Sequence, residues 1–218
     1  MDSSPEFERL LRTLPEVTSQ NIGDLLRFRE FVLAENEIQN LTRLSEPVDF
    51  FEGHVLDAVH LLRSNWLSGT VMDLGSGAGM PGILCALLDS RGLCNWVLVD
   101  SEFHKAEFLS RAVSFLELTN RVQVFAGRGE AYLRENSVDT VVCRAVGAVD
   151  KIYGWIRQCS TWNNLVLFKS KGWVDEWAGF QAGKWRNSLK VQAQIEYSVG
   201  MDERYRLILR LQRLGIRG

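Results

Sequence analysis

The segment that most constrains the fold is a glycine-rich run at residues 71–82, which reads VMDLGSGAGMPG. Apolar residues lead into Asp73, three alternate glycines follow, and an apolar stretch typical of a helix begins at Ile83. Glycine allows positive φ angles and lets a ligand approach the backbone without a Cβ in the way. The helix start after the turn presents free N–H groups that suit an anionic part of a ligand. A strand, a glycine turn and a helix in this order predict a cofactor site at the edge of a parallel sheet.

Short apolar runs alternate with helical stretches through the middle of the chain, which is typical of a parallel sheet covered on both faces. Five strands are predicted at 70–74, 96–100, 122–125, 138–143 and 165–169, with a helix at 102–116 and an antiparallel edge pair at 191–197 and 205–211. Apolar residues at helical spacing predict helices before the first strand. We therefore predict an α/β fold, a doubly wound sheet of about seven strands, in one compact unit. Its N-terminal helical cap covers 1–66 and its sheet domain covers 67–218.

The composition, 46% hydrophobic and 24% charged, is that of an ordinary globular chain and argues against disordered and coiled-coil classes. The longest apolar run, 82–88, is far shorter than a membrane span, and the first residues lack the features of a secretory signal. We therefore expect a cytoplasmic protein. The four cysteines form no CxxC pair and only three histidines are present, so no metal site is expected. Three of the cysteines lie in apolar surroundings and are interpreted as buried thiols.

Two kinds of cofactor suit the glycine-rich run. Residues 77–82 match G-x-G-x-x-G, and Asp100 lies near the offset of a ribose-binding acid, as in dinucleotide sites. However, Asp73 closes the strand and Pro81 lies inside the turn, which fits that pattern poorly. The pattern Asp-x-Gly-x-Gly-x-Gly, formed by Asp73, Gly75, Gly77 and Gly79, instead suits S-adenosylmethionine, which has no pyrophosphate and carries an α-amino group that a carboxylate can hold. In both cases Asp100 is expected to bind ribose hydroxyls. A nicotinamide oxidoreductase remains an alternative.

Further polar residues follow the third and fourth predicted strands, at 127–130 and at Arg144. Because the carboxyl ends of parallel strands meet at one crevice, these groups should converge with the glycine turn. A site role is favoured for Arg144 over an ordinary surface ion pair, whereas Glu130 could simply cap a helix. No Asn/Asp-Pro-Pro-aromatic motif for exocyclic amines and no Pro-Cys nucleophile follows the fourth strand, so Cys143 is interpreted as structural. The remaining targets are atoms with an available lone pair, such as guanine N7, or a small acceptor.

The order of these motifs resembles the bacterial ribosomal RNA small-subunit methyltransferase G family, also called glucose-inhibited division protein B. The resemblance extends over roughly residues 25–172. It rests on the segments 40–42 (NLT), 54–57 (HVLD), 73–82 (DLGSGAGMPG), 98–101 (LVDS), 128–130 (RGE), 144–145 (RA) and 171–172 (KG), together with Lys105, Phe108, Leu109 and Asp139. Three features depart from the family pattern, namely Ala58 in place of serine, Asn163-Asn164 in place of a glycine pair, and the tryptophan-rich stretch 172–187.

The resemblance implies a Rossmann-like class I methyltransferase that uses S-adenosylmethionine to methylate N7 of one guanine in 16S ribosomal RNA. Carried over by position, Gly75, Met80, Gly129, Glu130 and Arg144 would contact the cofactor. The lone pair of N7 needs no deprotonation, so no catalytic base is assigned and the enzyme is expected to act by alignment.

The residues expected to bind the substrate are Arg144, Lys171 and His54. His54 lies three residues before Asp57 on one helix face, and a core or capping role for it is about as plausible as a site role. Residues 151–218 carry 12 basic and 5 acidic side chains, which favours contact with RNA phosphates. The expected phosphate contacts come from Lys169, Lys171, Lys184, Arg186, Lys190, Arg204, Arg206, Arg210 and Arg213, although some of the last four should face away from RNA.

The tryptophans at 155, 162, 173, 177 and 185 are interpreted as core or interface residues more readily than as stacking platforms for bases. The expected partner is ribosomal RNA, within the small subunit or free, and the protein is expected to be a monomer without membrane or metal partners. The alternatives are a methyltransferase for a small molecule or a protein, and a binding module that retains the fold without catalysis.

Overall fold

The computed structural model describes residues 4–214 of the chain. Helices occupy the N-terminal part, and α2 begins with a capping box in which Thr18 and Asn21 satisfy each other's backbone N–H groups. A five-residue π-helical turn at Phe51–Val55 joins α3 to α4. The helices of this part are α1 (Ser4–Leu11), α2 (Ser19–Gln39), α3 (Pro47–Phe50) and α4 (Leu56–Arg63).

Seven strands form one sheet in the order β3-β2-β1-β4-β5-β7-β6. The first five strands are parallel, β7 is antiparallel to β5, and β6 is antiparallel to β7 at the edge. The strands are β1 (Gly69–Leu74), β2 (Cys94–Asp100), β3 (Val122–Ala126), β4 (Val138–Arg144), β5 (Trp162–Lys169), β6 (Leu189–Val199) and β7 (Arg204–Arg213). The predicted doubly wound sheet of about seven strands and its antiparallel edge pair are therefore confirmed.

Helices cover both faces of the sheet. The N-terminal helices pack on one face with α5 and α6, where Phe28, Phe50 and Leu84 are buried in one core with Val142 of β4. A second core lies on the other face, under α7, α8 and α9. The helices that follow β1 are α5 (Gly82–Leu88), α6 (Phe103–Phe115), α7 (Gly129–Glu135), α8 (Val149–Ile156) and α9 (Trp173–Ala182).

Helix α9 lies in the tryptophan-rich stretch, for which no helix is predicted. Asp175 and Glu176 in its first turn favour the helix through the macrodipole. Trp173 and Phe180 are buried, and the rings of Trp173, Trp177 and Phe180 stack in series. The helix is thus held by aromatic packing, with Phe180 edge-to-face against Tyr153 of α8, rather than by a regular apolar stripe.

All four cysteines are free and buried, whereas burial is predicted for three of them. Within residues 4–214, no helix combines the length and apolar character needed to cross a membrane. The same residues contain no group of three or more His, Cys, Asp or Glu side chains that could hold a metal ion.

The strand order reverses at β1, which lies between β2 and β4. In open α/β sheets the crevice outside the carboxyl ends of the strands at such a switch point is the usual ligand position. The glycine-rich run follows β1 and Arg144 ends β4, so both lie at this crevice.

Candidate active site

The loop between β1 and α5 depends on glycine at three positions. Gly75, Gly77 and Gly79 have φ angles of 72, 56 and 83°, which side-chain-bearing residues rarely adopt. The N–H groups of Gly75 and Ser76 both donate to the carbonyl of Val99 in β2, at 2.8 and 3.0 Å. The predicted glycine turn is therefore present, and it is fixed to the neighbouring strand.

Asp73 lies buried beneath this loop. Its Oδ2 accepts hydrogen bonds from Ser76 Oγ at 2.8 Å and from Gly82 N at 2.9 Å, whereas its Oδ1 is buried with no protein partner in the described structure. Burial raises the pKa of Asp73 to about 6 despite these two hydrogen bonds. The expectation that the helix start offers only free N–H groups is wrong at Gly82, because its N–H is bound to Asp73.

Asp100, at the end of β2, joins two loops. Its Oδ2 accepts a hydrogen bond from Gly77 N at 2.9 Å, and its Oδ1 accepts one from Glu102 N at 2.9 Å. Each carboxylate oxygen has a second lone pair, so hydroxyl groups of a ligand can still bind to it. Asp100 therefore positions the glycine turn as well as offering acceptor oxygens at the crevice.

A small cleft of about 90 Å³, here called the glycine-loop cleft, opens between the ends of β1, β2 and β3. Its lining includes the predicted residues Gly75, Asp100, Gly129 and Glu130, and also Trp155 of α8. Sequence reasoning considered Trp155 only as core or as a platform for RNA. Of the other predicted cofactor residues, Asp73 belongs to β1, Arg144 ends β4, and Gly77, Gly79 and Met80 lie elsewhere in the loop. Met80 is buried in the core with 7% of its surface exposed.

A larger cleft of about 610 Å³, here called the cationic cleft, lies beyond the ends of β4 and β5. It is lined by four cations, Arg144, Lys169, Arg204 and Arg206, by the carboxylates Asp57 and Glu176, and by Ala145, Gly147, Phe168, Ser170, Gly172, Trp173, Tyr197, Tyr205 and Leu207. Lys171 is exposed between two of these lining residues. The charge and the aromatic rings together suit a nucleotide-containing ligand.

The loop after β4 separates the two clefts. Val146 lines the glycine-loop cleft, and Arg144, Ala145 and Gly147 line the cationic cleft. Ala145 has a φ of 57°, an uncommon conformation for a residue with a Cβ that is often found at functional sites. A ligand in one cleft is therefore separated from a ligand in the other by the loop 144–147.

Arg144 is the centre of a polar network between the clefts. Its Nε lies 3.3 Å from Asp57 Oδ2, its Nη2 lies 2.7 Å from His54 Nδ1, and its Nη1 is buried with no protein partner in the described structure. Asp57 is fully buried, and its Oδ1 accepts a hydrogen bond of 2.5 Å from Tyr197 Oη. Arg206 Nη1 lies 3.7 Å from Asp57 Oδ2. His54 and Asp57 are thus joined through Arg144.

His54, in the π-helical turn, is held as the neutral imidazole. Burial lowers its pKa well below the ordinary value, and the charges of Arg144 and Arg206 lower it further. A guanidinium can only donate, so His54 Nδ1 accepts from Arg144 and the proton lies on Nε2, which donates to Thr42 Oγ1 at 3.0 Å. His54 therefore orients Arg144, and its ring nitrogens are both occupied.

The basic C-terminal third is only partly directed at the cationic cleft. Arg213 donates to the carbonyls of Arg157 and Cys159, and Arg210 donates to Asn164 Oδ1 at 3.3 Å. These two arginines tie β7 to β5 and to the segment before it, in line with the expectation that some of the last four basic residues face away from RNA. Arg204 and Arg206 of the same strand do line the cleft.

Comparison with known proteins identifies relatives over most of the chain. A family model described as rRNA small subunit methyltransferase G matches residues 21–202. A protein named Ribosomal RNA small subunit methyltransferase G from Nitrosomonas europaea is 38% identical over 145 residues, which make up 65% of this chain and 65% of that protein. The chain thus spans slightly less than two thirds of this relative. A protein of the same name from Rhodopirellula baltica is 32% identical over 173 residues, 78% of this chain and 73% of that protein.

Solved structures share the architecture at low sequence identity. M. capricolum TrmK, in complex with S-adenosylhomocysteine, matches with a TM-score of 0.55 at 9% identity, over 72% of this chain and 67% of that chain. This likeness shows the fold alone.

Proposed function

Since the chain belongs to the rRNA small subunit methyltransferase G family, we propose that it transfers a methyl group from S-adenosylmethionine to N7 of a guanine in 16S ribosomal RNA. The observation that supports this most is the loop 144–147, which lines both clefts and so lies between a cofactor in one and a base in the other. Such an arrangement favours group transfer across the loop.

The residues in and around the glycine-loop cleft fit this cofactor. The unpartnered Oδ1 of Asp73 suits an α-amino group, and the oxygens of Asp100 have lone pairs free for ribose hydroxyls. Gly75, Gly77, Gly79, Met80, Gly129, Glu130 and Arg144 complete the proposed cofactor set. When bound, the cofactor supplies an electrophilic methyl group.

The protein's own contribution is to hold the guanine in line with that methyl group. N7 carries an unshared pair in the ring plane, so no side chain has to remove a proton. Alignment of the reacting atoms can lower the barrier by several kcal/mol, roughly 7–11 kcal/mol in the most favourable intramolecular cases. We assign orientation of the base to Arg144, whose free Nη1 can donate to guanine O6 beside N7, while Asp57 and His54 fix the guanidinium plane.

The RNA backbone is proposed to lie along the cationic cleft. Arg204 and Arg206 line it and Lys171 flanks it, so phosphates on either side of the target base would lie near positive charge.

We further propose that the substrate lies within the small subunit and that the protein acts in the cytoplasm. We also propose that it acts as a monomer, because one chain supplies both clefts.

The test uses methyl-labelled S-adenosylmethionine and small subunits from a strain that lacks the gene. Label should appear in 7-methylguanosine after digestion of the RNA. Asp73→Asn should abolish labelling, whereas Asp89→Asn, a matched change of a buried aspartate that bonds Cys94 N outside both clefts, should retain it. Label in another nucleoside would overturn the proposed target, and cofactor binding without any labelling would favour a binding module.

A further inference from the structure

Methylation at N7 does not by itself select guanine. Adenine carries an equivalent N7 lone pair, and the two bases differ at positions 1, 2 and 6. A donor to O6, as proposed for Arg144, disfavours adenine, and guanine also presents N1–H and an N2 amino group as donors, so an acceptor facing that edge would add to the selection of guanine. This inference rests on the proposed function and asks which side chain supplies the acceptor.

Two carboxylates line the cationic cleft. Asp57 is fully buried and already engaged by Tyr197, Arg144 and Arg206. Glu176, in contrast, has 22% of its side chain exposed. Its Oε1 accepts from Val149 N at 2.6 Å and from Lys169 Nζ at 2.7 Å, and the structure of residues 4–214 gives its Oε2 no hydrogen-bond partner. Glu176 is therefore the carboxylate in this cleft with an oxygen free for a ligand.

Glu176 is also held in a fixed orientation relative to the loop between the clefts. Lys169 Nζ donates to Gly147 O at 2.9 Å as well as to Glu176, and Val149 directly follows this loop. The acceptor, the lysine and the loop thus form one hydrogen-bonded unit. A pre-oriented acceptor contributes more to discrimination than a mobile one because less freedom is lost on binding.

We propose that Glu176 selects guanine by accepting hydrogen bonds from N1–H and the N2 amino group of the target base. The interaction should strengthen as the reaction proceeds. The methylated base gains a positive charge, its N1–H becomes a better donor, and a carboxylate binds a cationic donor more tightly than a neutral one. Glu176 therefore binds the transition state better than the substrate, which raises the rate as well as the selectivity.

The test combines a change in the protein with a change in the base. The target guanosine is first mapped, and small subunits are then reconstituted with inosine, which lacks the N2 amino group, at that position. Methyl transfer is measured for the wild type and for Glu176→Gln, which keeps the size and an oxygen acceptor for Val149 N. Asp175→Asn, a neighbouring exposed carboxylate on α9, is the matched control.

The wild type and Asp175→Asn should lose roughly 10- to 150-fold in kcat/KM on inosine subunits, the range for loss of one hydrogen bond to a charged group. Glu176→Gln should already be slow on guanosine and should lose less than threefold more on inosine, with unchanged affinity for S-adenosylhomocysteine. An equal loss of kcat/KM on inosine subunits in all three proteins would overturn the assignment of Glu176.

A second measurement does not depend on the folding of the Glu176 variant. The wild type alone should methylate guanosine subunits faster than inosine subunits, and subunits with 1-methylguanosine at the target more slowly still. Equal rates on all three would refute a carboxylate contact at this edge. If the wild type does not label guanosine subunits at all, the proposed function fails, whereas failure of the Glu176 assignment leaves that label intact.

Discussion

Replacement of Tyr197 by phenylalanine tests whether the buried network around Arg144 stabilises the fold. The substitution removes one hydroxyl, which donates to Asp57 Oδ1 at 2.5 Å, and keeps the ring that stacks on His60 at a centroid distance of 3.9 Å. Burial and the charge of Asp57 raise the pKa of Tyr197, so the hydroxyl stays a donor at neutral pH. Asp57 Oδ1 would lose its hydroxyl partner inside the protein.

A hydrogen bond to a charged buried group contributes about 1.5–3 kcal/mol to stability. For a chain of this size, each kcal/mol shifts Tm by about 2–4 °C, so Tyr197→Phe should lower Tm by roughly 3–12 °C. Urea unfolding should show a lower midpoint with an unchanged m-value. Tyr205→Phe on the same hairpin is the control, because its hydroxyl bonds Glu196 at the surface and should change stability by less than about 0.5 kcal/mol.

A double-mutant cycle with Asp57→Asn assigns the effect to this contact. Once the carboxylate charge is gone, removal of the Tyr197 hydroxyl should cost less, and the difference should amount to about 1 kcal/mol or more. A loss within about 0.5 kcal/mol of the Tyr205 control, or strictly additive losses in the cycle, would refute the reasoning.

Two further predictions concern binding. The affinity for S-adenosylhomocysteine should be nearly constant above pH 7, halve near pH 6 and approach a tenfold fall per pH unit well below pH 6, because the pKa of Asp73 is about 6 and its protonated form attracts an ammonium group less. Asp73, with its raised pKa, favours the folded state more as pH falls, whereas His54, with its lowered pKa, favours it less, so circular dichroism at each pH checks that the protein stays folded. Calorimetry between pH 5 and 7.5 measures the affinity, and a pH-independent affinity would contradict the contact. Lys171→Ala should weaken binding of the small subunit and reduce its salt dependence by about one counterion while the affinity for S-adenosylhomocysteine is unchanged. Lys190→Ala, an exposed lysine of β6 away from the cleft, should have a smaller effect; equal effects of the two variants on subunit binding would overturn the assignment.

The sheet and the cofactor-binding loop could be predicted because the residues that indicate them are close together in the sequence. The run at 71–82 contains the strand end, the positive-φ glycines and the helix start within twelve residues, and Asp100 closes the next strand. Short apolar runs at regular intervals then define the remaining parallel strands. The strand limits differ from the predicted ones by up to three residues, mostly because polar residues at the strand ends still pair with the neighbouring strands.

The network around Arg144 could not be predicted because its members are far apart in sequence. Asp57 and Tyr197 are separated by 140 positions, and a tyrosine in an edge strand gives no signal that it reaches a buried carboxylate. Counts of charged residues likewise do not show on which face of a strand each side chain lies. Alternation along β7 places Arg213 on the opposite face from Arg204 and Arg206, which is the one signal that could have separated it from the cleft.

The order in which the chain is synthesised gives the Asp57 contact a further consequence. At about 5–20 residues per second, roughly 7–28 s pass between the synthesis of Asp57 and that of Tyr197. During that interval the N-terminal helices and the first parallel strands exist without the hairpin that completes the cationic cleft. An unfinished chain therefore has the glycine turn and its acids but lacks the hydroxyl that holds Asp57. Competence to position a base thus arises only after the β6–β7 hairpin has been synthesised.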